Sequence, residues 1–318
     1  MDVFTAIEGF KNIYSGLKGE TTLEFLKWVK DNVDGLIEKQ IKSSHQSNSD
    51  VVLQSIREDL RSLLPLNGVT PTENIYTPTV GPNADCDGPS TEHIDAFCYD
   101  DDDIDDLCDE GQMSRNYCTD CGSRNVRPLT LITHSASVKQ IKYIFQHLLG
   151  DLRGKTVVDV GSRTGAILYG AYLMSDASCI VGVEIDQTFC HIQNQIISKY
   201  QLQDRVQVHQ QDIQQCGNLI QQADVLILNN VFEFFMPLDM QKSIWHFLYQ
   251  NMRKKGSYIV TVPSITESLQ TIQLPLDLGS WIQKIPTGEI TRKANLLLYG
   301  DQDSEDSELP QIHLYQVM

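Results

Sequence analysis

From residue 155 onward, short apolar runs alternate with longer stretches in which apolar positions recur every three or four residues. The runs at 156–158, 179–184, 206–209, 225–229 and 257–263 read as strands buried on both faces. The stretches 188–200, 214–221, 239–252 and 266–282 read as helices. Repeated strand–helix units of this length predict parallel strands with helices on both faces. Two further β-like runs, 295–299 and 312–317, flank an acidic turn and read as a hairpin. The expected class is α/β: a doubly wound, seven-stranded, mostly parallel sheet with a C-terminal antiparallel hairpin, plus a helical N-terminal region.

That helical region spans residues 1–66. Leu23, Phe25, Leu26, Trp28, Val29, Val33, Leu36, Ile37 and Ile41 form one stripe. Val51, Val52, Ile56, Leu60, Leu63 and Leu64 form a second, ended by Pro65. The polar stretch 43–49 predicts a break between them, so two or three helices are expected, as a small bundle or a cap. Residues 67–134 lose all periodicity, with Pro71, Pro78, Pro82 and Pro89 interrupting, and read as an acidic, cysteine-bearing linker or surface insertion. Residues 135–318 then form the α/β domain, entered through a helix over 138–149 that Ser135 or Ser137 can cap.

Charge changes this picture in one respect. The net charge is -17, and residues 85–110 hold twelve acids with no Lys or Arg, while 301–308 hold five more. Those two segments account for the whole imbalance. The rest is balanced, so no basic face for nucleic-acid phosphates is expected, and direct DNA binding is not. The acidic segments read as solvated loops that could attract a basic partner. No apolar run is long enough for a membrane span, and residues 1–16 lack the features of a secretory signal. With eight cysteines, this predicts reduced thiols in the cytoplasm or nucleus rather than secretion. Cys118 and Cys121 form a C-x-x-C-G turn, the spacing of half a tetrahedral zinc site. Cys98 and Cys108 are the candidates to complete it, with Cys86, His93 and His134 behind them; plain reduced cysteines are the alternative reading.

The chemistry-bearing residues stand at the carboxyl ends of the predicted strands. Asp159 ends the first, before the turn of Gly161, Ser162, Arg163, Thr164 and Gly165; Glu184 ends the second, Asp212 follows the third, and Asn229-Asn230 end the fourth. In a doubly wound sheet these positions face one crevice. A carboxylate such as Glu184 can accept from both hydroxyls of a ribose, Ile185 can lie against an adenine, and Asp212 can accept from an exocyclic amine.

The runs DVGSRTG, VGVEID, QQDI and ADVLILNNVFEFF, in that order, resemble the four motifs of class I S-adenosylmethionine-dependent methyltransferases, over residues 135–318. A nicotinamide dehydrogenase would instead show G-x-G-x-x-G, which is absent here. The resemblance implies S-adenosylmethionine as cofactor. It implies Asp159, Gly161, Ser162 and Gly165 near the methionine part, Glu184 and Ile185 at the ribose and adenine, Asp212 at the adenine end, and Asn229 on the crevice floor. Asn230 and Glu233 are the candidate catalytic groups. ILNNVFEFF is similar both to non-SET histone lysine methyltransferases and to the small-molecule group, and no Asn/Asp-Pro-Pro-Tyr/Phe motif is present. The acceptor is expected to be a protein of basic character. One departure stands out: Arg163 replaces the middle glycine of the turn, a substitution that costs about 1–2 kcal/mol if the backbone is left-handed there. A methyltransferase fold without turnover, serving as a binding scaffold, is the other expectation.

Overall fold

The computed structural model describes residues 3–84, 86, 90–119, 125–301 and 303–318. They fall into two compact units, Met1–Val52 and Leu53–Met318. In the first, helix α1 (Val3–Gly16) precedes helix α2 (Glu20–Leu63), and the Phe10 and Phe25 rings lie 5.8 Å apart. α2 runs without interruption through residues 43–49, where the sequence predicts a break. That stretch is polar but holds neither Gly nor Pro, and Ser, Asn and His each cost a helix only about half a kcal/mol.

The second unit opens with the end of α2, where Leu53, Ile56 and Leu60 are buried at helical spacing. It continues with β1 (Thr91–His93), α3 (Asp101–Asp109), β2 (Asn116–Cys118), β3 (Val126–Pro128) and β4 (Thr130–Ile132). β1 pairs in parallel with β4, and β2 pairs antiparallel with β3. The described part of the segment expected to be a solvated loop is therefore folded. Ile94, Phe97 and Cys98 are buried in it, and Asp100 caps α3 in a reciprocal capping box with Asp103. The acids of this run that lack neighbouring cations in sequence find them in space: Arg57 binds Asp100 at 2.9 Å and Asp103 at 2.7 Å, and Arg115 binds Asp105 at 2.6 Å.

Next come α4 (Val138–Lys142), capped by Ser137 and extended by a wider π-helical turn (Tyr143–Leu148), and then the α/β units. These are β5 (Thr156–Val160), α5 (Ala166–Met174), β6 (Cys179–Glu184), α6 (Gln187–Lys199), β7 (Val206–Gln210), α7 (Gly217–Gln222) and β8 (Val225–Asn229). They continue with α8 (Leu238–Asn251), β9 (Tyr258–Val262), α9 (Ile265–Thr271), β10 (Ile282–Ile285), α10 (Gly288–Leu298) and β11 (His313–Val317). The sheet order is β10-β11-β9-β8-β5-β6-β7. β9, β8, β5, β6 and β7 pair in parallel, and β11 enters antiparallel between β10 and β9.

The mostly parallel seven-stranded sheet agrees with expectation, but its antiparallel partner strand is not where the pattern put it. Residues 295–299 lie at the end of α10 rather than forming a strand, and β10 begins at Ile282, where the stretch expected to be helical ends. Asn-Leu-Leu-Leu-Tyr is a short apolar run whose period cannot separate strand from helix. Here it ends α10, whose buried face is Thr291, Ala294 and Asn295, while Leu296 and Leu297 are exposed. One side of the sheet carries Val158, Val160, Val181, Val183, Leu226 and Leu228, packed on Ile220, Ile244, Trp245, Leu248 and Trp281. The alternate positions Val157, Ile180 and Ile227 are buried on the opposite side.

Candidate functional site

The crevice is organised by the turn between β5 and α5. Gly161 takes φ +67°, and a Cβ there would sit 2.4 Å from Val231 Cγ2; Gly165 takes φ +87°, and its Cβ would meet Tyr169 Oη at 2.5 Å. Both positions therefore require glycine for conformation and for space. The Gly161 N–H donates to the Val183 carbonyl at 2.8 Å, which ties the turn to β6. Arg163 itself has φ +43°. The middle position of the turn is thus left-handed, and a non-glycine residue holds it at a backbone cost of about 1–2 kcal/mol.

The sequence-predicted residues do gather on one rim. Asp159 sits opposite Gly182 of β6 and Ile227 of β8. Glu184 ends β6, level with Gln210 of β7, and Asp212 follows that strand. Ser162 is buried and donates from Oγ to Gln193 Oε1 at 2.9 Å. Asn229 ends β8; Asn230, at φ +50°, donates its N–H to the Val262 carbonyl at 2.8 Å. Asp212 Oδ1 accepts from Gln214 N at 2.9 Å and caps a short 3₁₀ turn (Ile213–Gln215). Ile185 is 69% exposed.

Glu184 is differently placed. Its Oε2 accepts from the Arg163 N–H and its Oε1 from the Asp186 N–H, both at 2.8 Å. It is buried, and burial pushes its carboxyl above the usual range against the pull of those N–H groups. Asp159 is buried deeper, and burial together with the Glu184 charge raises its carboxyl well above the usual range.

What covers Glu184 lies far away in sequence. Arg163 is buried, and its guanidinium binds Glu73 through Nε–Oε1 at 2.7 Å and Nη2–Oε2 at 3.0 Å. It also binds Asp95 through Nη1–Oδ2 at 3.1 Å and the Gly68 carbonyl at 2.6 Å. Its carbon stands 4.9 Å from the Phe189 ring centre. Asp95 in turn accepts from Ser135 Oγ at 2.6 Å and from the N–H groups of Phe97 and Cys98. Ser135, one of the two expected helix caps, serves Asp95 instead. Nothing in the local pattern around Glu73 or Asp95 marks them. The available signal was Arg163: a cation in a glycine position beside a sheet must find carboxylates if it is buried.

The remaining space divides unequally. A void of about 10 Å³ lies among His134, Ser135, Asp159, Gly161, Arg163 and Asn229. Beyond Asn230 lies a cavity of about 590 Å³, walled by Phe232, Trp245 and Ile272 with Glu233, Gln241 and His313. Small-molecule sites usually measure about 300–1,000 Å³. The nucleoside cofactor implied by the resemblance fits at its adenine end, where Ile185 and Asp212 are accessible. It does not fit in this arrangement at its ribose and methionine end, where Arg163 and the segment that binds it fill the slot.

The candidate catalytic groups border the large cavity. Asn83 Nδ2 donates to Glu233 Oε2 at 3.0 Å, and burial raises the Glu233 carboxyl. Its Oε1 is buried with no partner among the described residues. Phe232 packs edge-on against Trp245, and Phe234 against Cys86 and Ile132, so both aromatics are core. Tyr169, another aromatic near the turn, is fully buried beneath Gly165.

The zinc expectation is not supported. Cys98 is buried, and burial and Asp95 raise its thiol well above the usual range, which opposes the thiolate that zinc requires. Cys108 is half-buried on α3 and Cys118 exposed on β2. Cys121 lies outside the described residues. Among the described residues no group of three His, Cys, Asp or Glu side chains is placed to hold a metal. His93 and His134 bind each other instead, Nδ1 to Nε2 at 3.0 Å.

Residues 151–295 match the family model described as "Methyltransferase domain". Similar solved structures include a SAM-dependent O-methyltransferase from Thermotoga maritima, at 19% identity and TM-score 0.37, covering 49% of this chain and 56% of that one. An RNA methyltransferase from Salinibacter ruber in complex with S-adenosyl-L-homocysteine is 16% identical at TM-score 0.34, covering 57% and 88%. An rRNA methylase from Streptococcus thermophilus is 9% identical at TM-score 0.36, covering 56% and 93%. This chain thus spans little more than half of the first of these. No curated protein matches it. With β5-turn-α5, Glu184 and Asp212 on one rim of a sheet ordered in this way, residues 151–295 match a methyltransferase domain, consistent with the class I S-adenosylmethionine-dependent superfamily.

Proposed function

We propose that this protein transfers a methyl group from S-adenosylmethionine to an acceptor held in the cavity beyond Asn230. The observation that carries the reading is the family match over residues 151–295, with Glu184 ending β6 and Asp212 just past the neighbouring end of β7. In this reading Glu184 takes the ribose hydroxyls, Asp212 and Ile185 the adenine, and the turn of Gly161, Ser162 and Gly165 the methionine end, with Asp159 and Asn229 beneath. The cofactor supplies an already activated methyl group, so the protein has chiefly to align the acceptor. Asn230 and Glu233 are the groups at hand to orient it, and Glu233 can hold its proton.

The acceptor is a basic side chain of a protein. The carboxylate of Glu233 beside the apolar walls of Phe232 and Trp245 supports that choice, as do the exposed Asp301, Asp303, Glu305 and Asp306. The test is isothermal titration with S-adenosyl-L-homocysteine, followed by transfer of radiolabelled methyl to lysate fractions. Binding that falls at least tenfold in Glu184→Ala, with label in protein, is the expected result. Label confined to RNA or small molecules removes the protein acceptor and leaves the reaction standing.

A second reading, a methyltransferase fold that binds partners without turnover, is favoured by one observation: the slot over Glu184 is filled by Arg163 and its partners. Absence of binding by every form of the protein would select it.

A further inference from the structure

The contacts that fill the cofactor slot have the character of a fastening rather than of a core. The segment at residues 67–76 crosses the rim of the sheet and is held there at three places by polar contacts. Thr72 Oγ1 lies 3.1 Å from Thr188 Oγ1, at the start of α6. The Tyr76 N–H donates to the Phe234 carbonyl at 2.7 Å, on the far side of Asn230. Between them stands the buried cluster of Arg163, Glu73 and Asp95, in which both Glu73 oxygens and one Asp95 oxygen bind the guanidinium. The Arg163 carbonyl accepts from Gln193 Nε2 at 2.8 Å and its N–H donates to Glu184, so both backbone polar groups are used as well.

From this geometry we infer that residues 67–76 are a latch over the cofactor crevice, fastened to Arg163 through Glu73 and the Gly68 carbonyl while Asp95 also binds the guanidinium, and that a nucleoside ligand is admitted only when it lifts. The inference rests on the methyltransferase reading and adds its regulation. Three physical arguments support it. The void left beside Arg163 holds no more than a water molecule, so ligand and closed latch exclude one another. A buried ion pair gains little net stability over its solvated, separated groups, because the attraction is offset by lost hydration. Apart from the half-buried Ile75, which packs on Cys86, Ile132 and Phe234, the fastening contacts are charged or hydrogen-bonded, so the cover can release at smaller cost than an apolar plug could. Finally, the middle of the turn carries a left-handed arginine where glycine would be unstrained, and the side chain so introduced is the one that reaches the latch.

The experiment uses the full chain and S-adenosyl-L-homocysteine as probe. In a Thr72→Cys/Thr188→Cys variant the new sulfurs fall where the hydroxyls now lie 3.1 Å apart, within reach of a disulfide. Oxidised, this variant is expected to bind at least tenfold more weakly than after reduction. Thr72→Cys alone, oxidised in parallel, controls for the native thiols and should match its own reduced form. Glu73→Gln, with its fold checked by near-ultraviolet circular dichroism, is expected to bind at least threefold more tightly than the wild type. Equal affinity of the oxidised and reduced double variant, with the disulfide confirmed by mass, overturns the latch and leaves the cofactor reading intact. No binding by the wild type, the reduced double variant and Glu73→Gln overturns the cofactor reading, and the latch with it.

Discussion

At the scale of single residues, buried titratable groups decide how stability follows pH. Burial, with Arg163 and His93 nearby, lowers the His134 imidazole to about 2. A histidine whose folded value lies below the unfolded 6.5 loses stability as pH falls through 6.5, by about 1.4 kcal/mol for each pH unit below it. His134→Phe keeps the packing against Phe234 and Phe235. Its melting temperature should fall less steeply between pH 7 and pH 5 than the wild type's, as read by scanning calorimetry. Asp159 has the opposite sign. Its folded value is raised, so the cost of ionising it appears as pH climbs from the unfolded value near 4 through the folded one. Asp159→Asn should raise the melting temperature by about 2–4 °C at pH 7.5 and leave it unchanged at pH 4. Equal gains at both values would mean that the gain does not come from ionisation. Arg163 shows the limit of a local reading: the strain of its backbone follows from its position in the turn, but its partners are 68 and 90 residues away.

At the scale of elements, glycine is used for space as much as for backbone freedom. Gly170 lies inside α5, where alanine normally gains about 1 kcal/mol in helix propensity. Its Cβ would stand 2.1 Å from Ile141 Cγ2 of α4. Gly170→Ala should therefore destabilise by about 1–3 kcal/mol, the cost of overpacking, as measured by urea denaturation; a stabilised variant would show that α4 shifts freely. Gly161→Ala combines positive φ with a 2.4 Å contact to Val231 and should cost at least as much. The elements whose period is unambiguous, β5, β6, α6, β8 and α8, were legible within one or two residues. The run at 295–299 was not, because five residues with so little polar interruption fit either period, and the choice fell to α10, whose buried face ends at Asn295.

At the scale of the molecule, the last strand holds the sheet together. β11 is bonded to β9 on one side and to β10 on the other, so its five residues join an outer strand to the parallel body. Tyr315 and Val317 belong to the same apolar cluster as Trp281 and Ile282. Removal of residues 312–318 should abolish the cooperative thermal transition followed by circular dichroism; a truncated protein that melts as the full chain does would show that β11 is dispensable. Charge behaves similarly at this scale. The acidic run at 85–110 lacks cations in sequence, yet Arg57, Arg61 and Arg115 neutralise part of it across the fold.

The sequence by itself determined the five parallel strands, the glycine turn and the set Asp159, Glu184, Asp212 and Asn229 on one rim. Strand ends and the apolar period of the units between them dictate those positions with little help from distant residues. Only the tertiary structure decided that residues 67–76 cross that rim, that the described cysteines do not gather, and that Arg163 closes the slot with Glu73 and Asp95. A buried ion pair is specified by proximity in space, and along the chain its members carry no period, spacing or composition that would set them apart.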